Sequence, residues 1–142
     1  MAWAKVDGYH AENERILSCG ELQGTRRCAV DAILEARRAV FDLLRPGTAF
    51  CDLYQTAMQI FREYGFGDIL PGRIGHGVGN SAHEFPSVSG ENHLLLEAGM
   101  VITVEPGLMD ASWGGARHSD TVLITKDGYE RLTKLDNGRL KF

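Results

Sequence analysis

The feature that most constrains this chain is the run Val101-Ile102-Thr103-Val104, which ends in Glu105 and Pro106. All four residues of the run are β-branched, and such side chains suit a pleated, buried surface, so the run predicts a strand. Pro106 ends it, because proline has no N–H to give to a ladder. A carboxylate at the end of a buried strand is costly unless something positive meets it. A metal ion, a His or an Arg from elsewhere in the chain would serve.

Two further segments carry chemistry. Gly75 to Pro86 reads GHGVGNSAHEFP, and Gly115 to Thr125 reads GARHSDTVLIT. His76 lies between two glycines, which leave the imidazole uncrowded and let backbone come close. His83 and Glu84 then lead into Phe85-Pro86. A loop with two solvated histidines is one reading. A second His, an acid and a rigid Pro in the same stretch favour a site, with Glu84 orienting the His83 loop. The spacing is neither that of a helical H-E-x-x-H motif nor that of a zinc finger, so any metal site draws its ligands from distant strands.

The rest of the chain sets bounds. At 142 residues, with 44% hydrophobic and 24% charged residues, it predicts one globular domain with a real core. A net charge of −4 without a basic run argues against nucleic acid and against an anionic membrane surface. Apolar stretches are too short to span a bilayer, and the first residues soon turn polar, unlike a signal peptide. Cys19, Cys28 and Cys51 are odd in number and widely spaced, which predicts reduced, buried, inert thiols in a cytoplasmic protein.

Residues 14–19 read as a strand. A helix opens at Gly24-Thr25, with Thr25 as its cap and Val30, Ile33, Leu34, Val40, Leu43 and Leu44 as its apolar stripe. Arg45-Pro46-Gly47 ends it. A second helix is expected from about Phe50 to Tyr64, closed by Gly65. The period then changes, with strands near 73–78, 100–105, 117–125 and 129–133, and turns at Ala98-Gly99 and Lys126-Asp127-Gly128. Helices and strands are partly segregated, which gives an α+β class.

GHGVGNSAHEFP, LLLEAGMVITVEPGL and RHSDTVLITKDGYERLT resemble the catalytic half of the pita-bread hydrolases. That group contains methionine aminopeptidase, aminopeptidase P, prolidase and creatinase. GYHAENERILSCGE resembles the strand that carries the group's second metal-binding Asp, and LLRPGTAFCDLYQ its interhelical turn. The resemblance implies the second half of a pita-bread domain, with a curved antiparallel sheet and two long helices, so that residues 1–142 form a partial catalytic domain. It implies an Xaa-Pro-type hydrolase of peptide or related amide C–N bonds, weak or inactive as this isolated chain.

Residue by residue, the resemblance makes His76 a metal ligand and Glu105 both a metal ligand and a catalytic group. It makes His83 the catalytic His near the scissile bond, and Arg117 an arginine near the final ligand. Glu12 stands where the group has a ligand Asp. Ser119 stands where it has its last ligand Glu. The first ligand Asp falls at about Met1. The implied divalent metal (Mn, Co, Fe or Zn) therefore has an incomplete ligand set.

A second branch, similar to creatinase or ectoine hydrolase, works without metal. It implies substrate contacts from Glu14, Arg117 and His118, with Asp120 nearby. A third reading is a non-catalytic binding module on the same fold. Plainer readings also stand. Glu12 and Glu14 would lie on a solvated hairpin face, and Arg117 would form a structural pair with Asp120 or Glu105. His10 and His93 would be surface residues, and Asp110 to Gly114 a loop over the site with Trp113 lining it. The expected partners are a small peptide or amide and either a second copy or a missing N-terminal half that covers an open sheet edge.

Overall fold

A computed structural model describes residues 2–135 and the strand at 140–141. The chain opens with a hairpin of β1 (Ala2–Val6) and β2 (Tyr9–Asn13), turned at Asp7-Gly8. A short β3 (Leu17–Ser18) follows, then α1 (Gly24–Phe41) and α2 (Phe50–Glu63). The remaining strands are β4 (His76–Gly77), β5 (Glu84–Ser87), β6 (Val101–Val104), β7 (Gly107–Asp110), β8 (Gly114–Arg117), β9 (Asp120–Ile124), β10 (Tyr129–Arg131) and β11 (Leu140–Lys141).

The main sheet has the order β10-β9-β6-β4-β5 and all its described pairings are antiparallel. The strand predicted from the β-branched run lies at its centre. Ile102 and Val122 are directly opposed and both 0% exposed. α1 turns Ala29, Ile33, Ala36 and Val40 inward, at the three- and four-residue spacing of one helix face. α2 adds Phe50, Leu53, Ala57 and Phe61. These residues and the inner face of the sheet form one apolar cluster, and each large side chain in it contributes about 2 kcal/mol of burial.

Two glycines let β4 reach its neighbours. A Cβ on Gly75 would sit 2.1 Å from the Thr103 carbonyl oxygen, and one on Gly77 would sit 2.6 Å from that of Phe85. Only glycine fits either position, and His76 lies between them.

Several expectations are corrected. Residues 14–19 are not one strand. Glu12 sits on β2, and Glu14 makes an isolated bridge with Ser119. Gln23, not Thr25, precedes the first turn of α1, and no side chain caps it. The span 117–125 splits, because Gly114–Arg117 pairs back on β7 as a separate hairpin. Asp110 to Gly114 is the turn of that hairpin. Trp113 packs toward Phe66, with ring centroids 6.3 Å apart, and lines a groove with Ile16 and Val30 rather than the site. The three cysteines are free, as expected, but none is buried: Cys19 is exposed and the other two are half-buried.

Candidate active site

Four segments far apart in sequence meet at one point. β2 brings Glu12, with Glu14 just beyond the end of the strand; β4 brings His76; the end of β6 brings Glu105; and the end of β8 brings Arg117. His76 Nε2 lies 3.5 Å from Glu12 Oε2 and 3.4 Å from Glu105 Oε1. Glu12, His76 and Glu105 are 2%, 1% and 5% exposed. The cost of burying Glu105 is therefore met from two sides, by His76 and by Arg117, whose Nη1 is 3.5 Å from Glu105 Oε2.

Parity explains who faces the cluster. Successive residues of an extended chain point to opposite sides. Glu12 and Glu14 share one side, and so do Arg117 and Ser119. Arg117 forms a bidentate pair with Glu14, from Nε to Oε2 and from Nη2 to Oε1, the latter at 2.9 Å. The Ser119 hydroxyl donates to Glu12 Oε1 at 2.8 Å, and the Thr121 hydroxyl donates to the Glu12 carbonyl at 2.8 Å. The solvated-face reading of Glu12 and Glu14 is thereby excluded, since both are buried. Glu14 is not free to meet a cationic substrate, because Arg117 already occupies both of its oxygens. Arg117 pairs with Glu14 and Glu105, not with Asp120.

His118 does not join the group. It is 0% exposed and points to the other side of the strand, with its Nε2 3.7 Å from Asp120 Oδ2. The expectation of substrate contact at His118 is corrected on that ground: the parity that aims Arg117 at the cluster turns its neighbour inward. Arg15 and Arg37 hold Asp120 from two sides, at 2.7 Å and 2.5 Å, which the sequence reading missed. Those partners lie 105 and 83 residues away along the chain, so no local pattern marks them. Met1, where the first ligand Asp was expected, lies outside the described residues.

His83 is exposed beside the cluster. Its ring centroid is 4.2 Å from that of His76 and 5.4 Å from that of Trp3. Glu84 Oε1 accepts the Ser81 N–H at 2.7 Å, which ties the loop that carries His83. A cavity of about 290 Å³ opens next to Glu105, between Arg73, Arg117, Met109 and the Ile69–Pro71 segment.

The charges are uneven. Burial pushes the Glu105 carboxyl up, the nearby Glu12 charge adds to this, and the carboxyl reaches about 7 against the opposing pull of His76 and Arg117. Burial works on Glu12 in the same direction, but His76, Ser119 and Glu105 together outweigh it and hold Glu12 at about 2. His76 is raised: burial opposes its charge, and Glu12, the Gly77 carbonyl and Glu105 overcome that. His83 is lowered, first by burial and then by the positive His76 and Arg73. Two carboxylates with widely separated proton affinities are the arrangement that lets one act as a base while the other stays ionised.

The donor set can be tested against a metal ion. His76 Nδ1 faces the Gly77 carbonyl at 2.9 Å, which assigns that nitrogen as donor and aims Nε2 at the carboxylates. Glu12 Oε2 and His76 Nε2 are buried and make no hydrogen bond among the described residues. At 3.4 to 3.5 Å the His76 contacts are ion-pair distances, too long for hydrogen bonds. Adjacent ligands of a tetrahedral zinc ion with bonds near 2.05 Å stand about 3.3 Å apart. The spacings of His76 Nε2 to Glu12 and to Glu105 match that figure, and two groups of ligand atoms lie within 4.8 Å of one another: Glu12, His76 and His83, and Glu12, Glu14 and Glu105. The exposed His83 reaches the same place from the solvent side, since a ring nitrogen of it lies within 4.8 Å of the ligand atoms of His76 and Glu12. Among the described residues the donors for a second ion are poor, because Ser119 offers a neutral hydroxyl and Glu14, although grouped with Glu12 and Glu105, is already paired with Arg117.

The profile of metallopeptidase family M24 matches residues 1–126. The chain belongs to metallopeptidase family M24. Among M24 relatives, the Xaa-Pro dipeptidase of Pyrococcus furiosus is 38% identical over 133 residues, which is 94% of this chain and 38% of that protein. The putative dipeptidase YkvY of Bacillus subtilis is 39% identical over 129 residues, 91% of this chain and 36% of the relative. The X-Pro aminopeptidase of Thermotoga maritima superposes with a TM-score of 0.93 at 29% identity, covering 99% of this chain and 40% of that one. The M24 chain described here thus has the pita-bread fold and spans well under half the length of these relatives. No helix among its described residues is long and apolar enough to cross a membrane.

Proposed function

We propose that this chain carries part of the active site of an M24 hydrolase that cleaves the C–N bond of Xaa-Pro peptides or related amides. The supporting observation is the convergence of His76 Nε2 on Glu12 and Glu105 at 3.5 and 3.4 Å, beside a cavity large enough for a dipeptide side chain. Glu12, His76 and Glu105 would hold one divalent cation, which supplies Lewis acidity and a bound water of lowered pKa. Glu105, at about 7, holds or passes the proton that leaves the attacking water. His83, beside His76 and open to solvent, donates to the oxygen on which charge develops. Arg117 fixes Glu105 and Glu14 in place. The three free thiols support a reducing, cytoplasmic setting.

A metal-free C–N hydrolase is the second reading, favoured by the Ser119 hydroxyl that satisfies Glu12 where a ligand carboxylate would stand. One assay separates the readings. The purified chain is incubated with an Xaa-Pro dipeptide, with Mn²⁺ and with EDTA. Weak turnover that needs Mn²⁺ and is lost in Glu105→Gln supports the first reading. Turnover that survives EDTA supports the second. Equal rates in Glu105→Gln and wild type would contradict both, and an intact fold with no turnover under any condition would leave a binding module.

A further inference from the structure

The Trp3 indole stands at the rim of the Glu12, His76 and Glu105 cluster. Trp3 lies directly across the β1–β2 hairpin from Glu12, and opposed residues of such a pair point to the same face. That face is the one on which Glu12 meets His76. Glu12 is buried and Trp3 is 41% exposed, so this face runs from the buried acid out to an aromatic ring that meets solvent. The Trp3 ring centroid is 5.4 Å from that of His83, at an interplanar angle of 50°, the geometry of a tilted ring pair.

His83 needs such support. It is exposed, on the loop between β4 and β5. Among the described residues its imidazole meets two rings, those of His76 and Trp3, and makes no hydrogen bond. The loop backbone is anchored, since the His10 N–H donates to the Gly79 carbonyl and the Ser81 N–H to Glu84 Oε1, both at 2.7 Å. The hairpin thus supplies the buried acid through Glu12, a loop anchor through His10 and a ring contact through Trp3. The backbone anchors leave the His83 side-chain torsions open. An exposed imidazole that can turn spends much of its time away from one productive direction, and a donor held in place is the better catalyst.

We propose that Trp3 is a positioning residue, whose indole holds the His83 imidazole at the mouth of the cluster in the direction that lets it donate to the substrate. This role rests on the hydrolase reading, in which His83 is that donor, but the ring contact is measurable without turnover. Trp3 acts through His83 and not on the bond that breaks. A phenyl ring at position 3 would keep an aromatic face toward His83, whereas an alkyl side chain would keep only apolar bulk. Loss of a ring pair of this kind corresponds to about threefold to tenfold in rate.

The test pairs kinetics with proton NMR on the whole chain at fixed pH. With Mn²⁺ and an Xaa-Pro dipeptide, Trp3→Ala and Trp3→Leu should each lower kcat about threefold to tenfold with KM unchanged, and Trp3→Phe should recover most of the loss. In a His83→Gln background Trp3→Ala should cost nothing further, because both changes act on one group. The His83 ring protons, assigned by their loss in His83→Gln, should be displaced by the indole in the wild type and return toward free-histidine positions in Trp3→Ala. Trp3→Leu reports the same if Trp3→Ala fails to fold. Unchanged His83 signals in the folded variants would overturn the role whatever the rates. An equal fall in rate on top of His83→Gln would make Trp3 merely structural, and a raised KM with unchanged kcat would make it a substrate contact; either overturns the role. Signals that move in a chain without turnover would support the placement of the ring by Trp3 and count against the hydrolase reading alone.

Discussion

The Ser119 hydroxyl donates to Glu12 Oε1 at 2.8 Å, although the two residues are 107 positions apart. Both are buried, at 0% and 2% exposure. This bond ties β9 to the N-terminal hairpin and occupies the side of Glu12 away from His76. It leaves Glu12 Oε2 as the atom that faces His76 Nε2.

Replacing that hydroxyl by a carboxylate tests the arrangement. Ser119→Glu places a second charge beside Glu12 in a buried setting. Without metal this should destabilise the fold by about 1–3 kcal/mol, the cost of a buried group that loses its partner. With Mn²⁺ present the loss should be recovered by binding to the folded state. Thermal melts in EDTA and in Mn²⁺ read both effects. Equal melting temperatures for variant and wild type in EDTA would refute the prediction.

Arg117 neutralises two buried acids at once. Arg117→Met leaves Glu14 and Glu105 facing each other without their cation. Breaking a buried pair costs about 3–5 kcal/mol. The Arg117 side chain is 31% exposed, so solvent screening brings the expectation down to about 2 kcal/mol. Glu14→Gln in the same background should recover part of the loss, as a double-mutant cycle in urea would show. Additive losses would mean that the pair contributes nothing.

His118 sets a pH dependence. Its pKa is lowered to about 4, mainly by burial and then by the charge on Arg15. The unfolded chain takes up this proton near pH 6.5 and the folded chain only near 4. Stability linked to His118 is therefore complete above about pH 6.5 and falls as pH drops toward 4. One pKa unit corresponds to about 1.4 kcal/mol, so the loss approaches about 3 kcal/mol. In His118→Met the difference from wild type should shift by that amount across the window. A constant difference between pH 4 and pH 6.5 would show that His118 titrates normally.

Much of this was readable from the sequence. The β-branched run identified β6 because four such residues in a row favour a sheet whatever surrounds them. The spacing of Ile33 and Val40 identified α1 in the same way. His76 and Glu105 stood out because each contradicts its setting, one among glycines and the other at the end of an apolar strand. β7 and β8 stayed hidden because Gly114 and Gly115 weaken any strand signal, and β1 because all five of its residues are exposed. His118 was misplaced because composition does not tell which side of a strand a residue takes. Arg37 was read only as part of a helix, since its partner Asp120 is brought to it by the fold.

The most direct test of the central claim is the stoichiometry of divalent-metal binding. Titrating the metal-free chain with Mn²⁺ or Zn²⁺ should show one ion per chain, with binding lost in His76→Ala and in Glu105→Gln. Two ions, none, or binding that persists in His76→Ala would contradict the account.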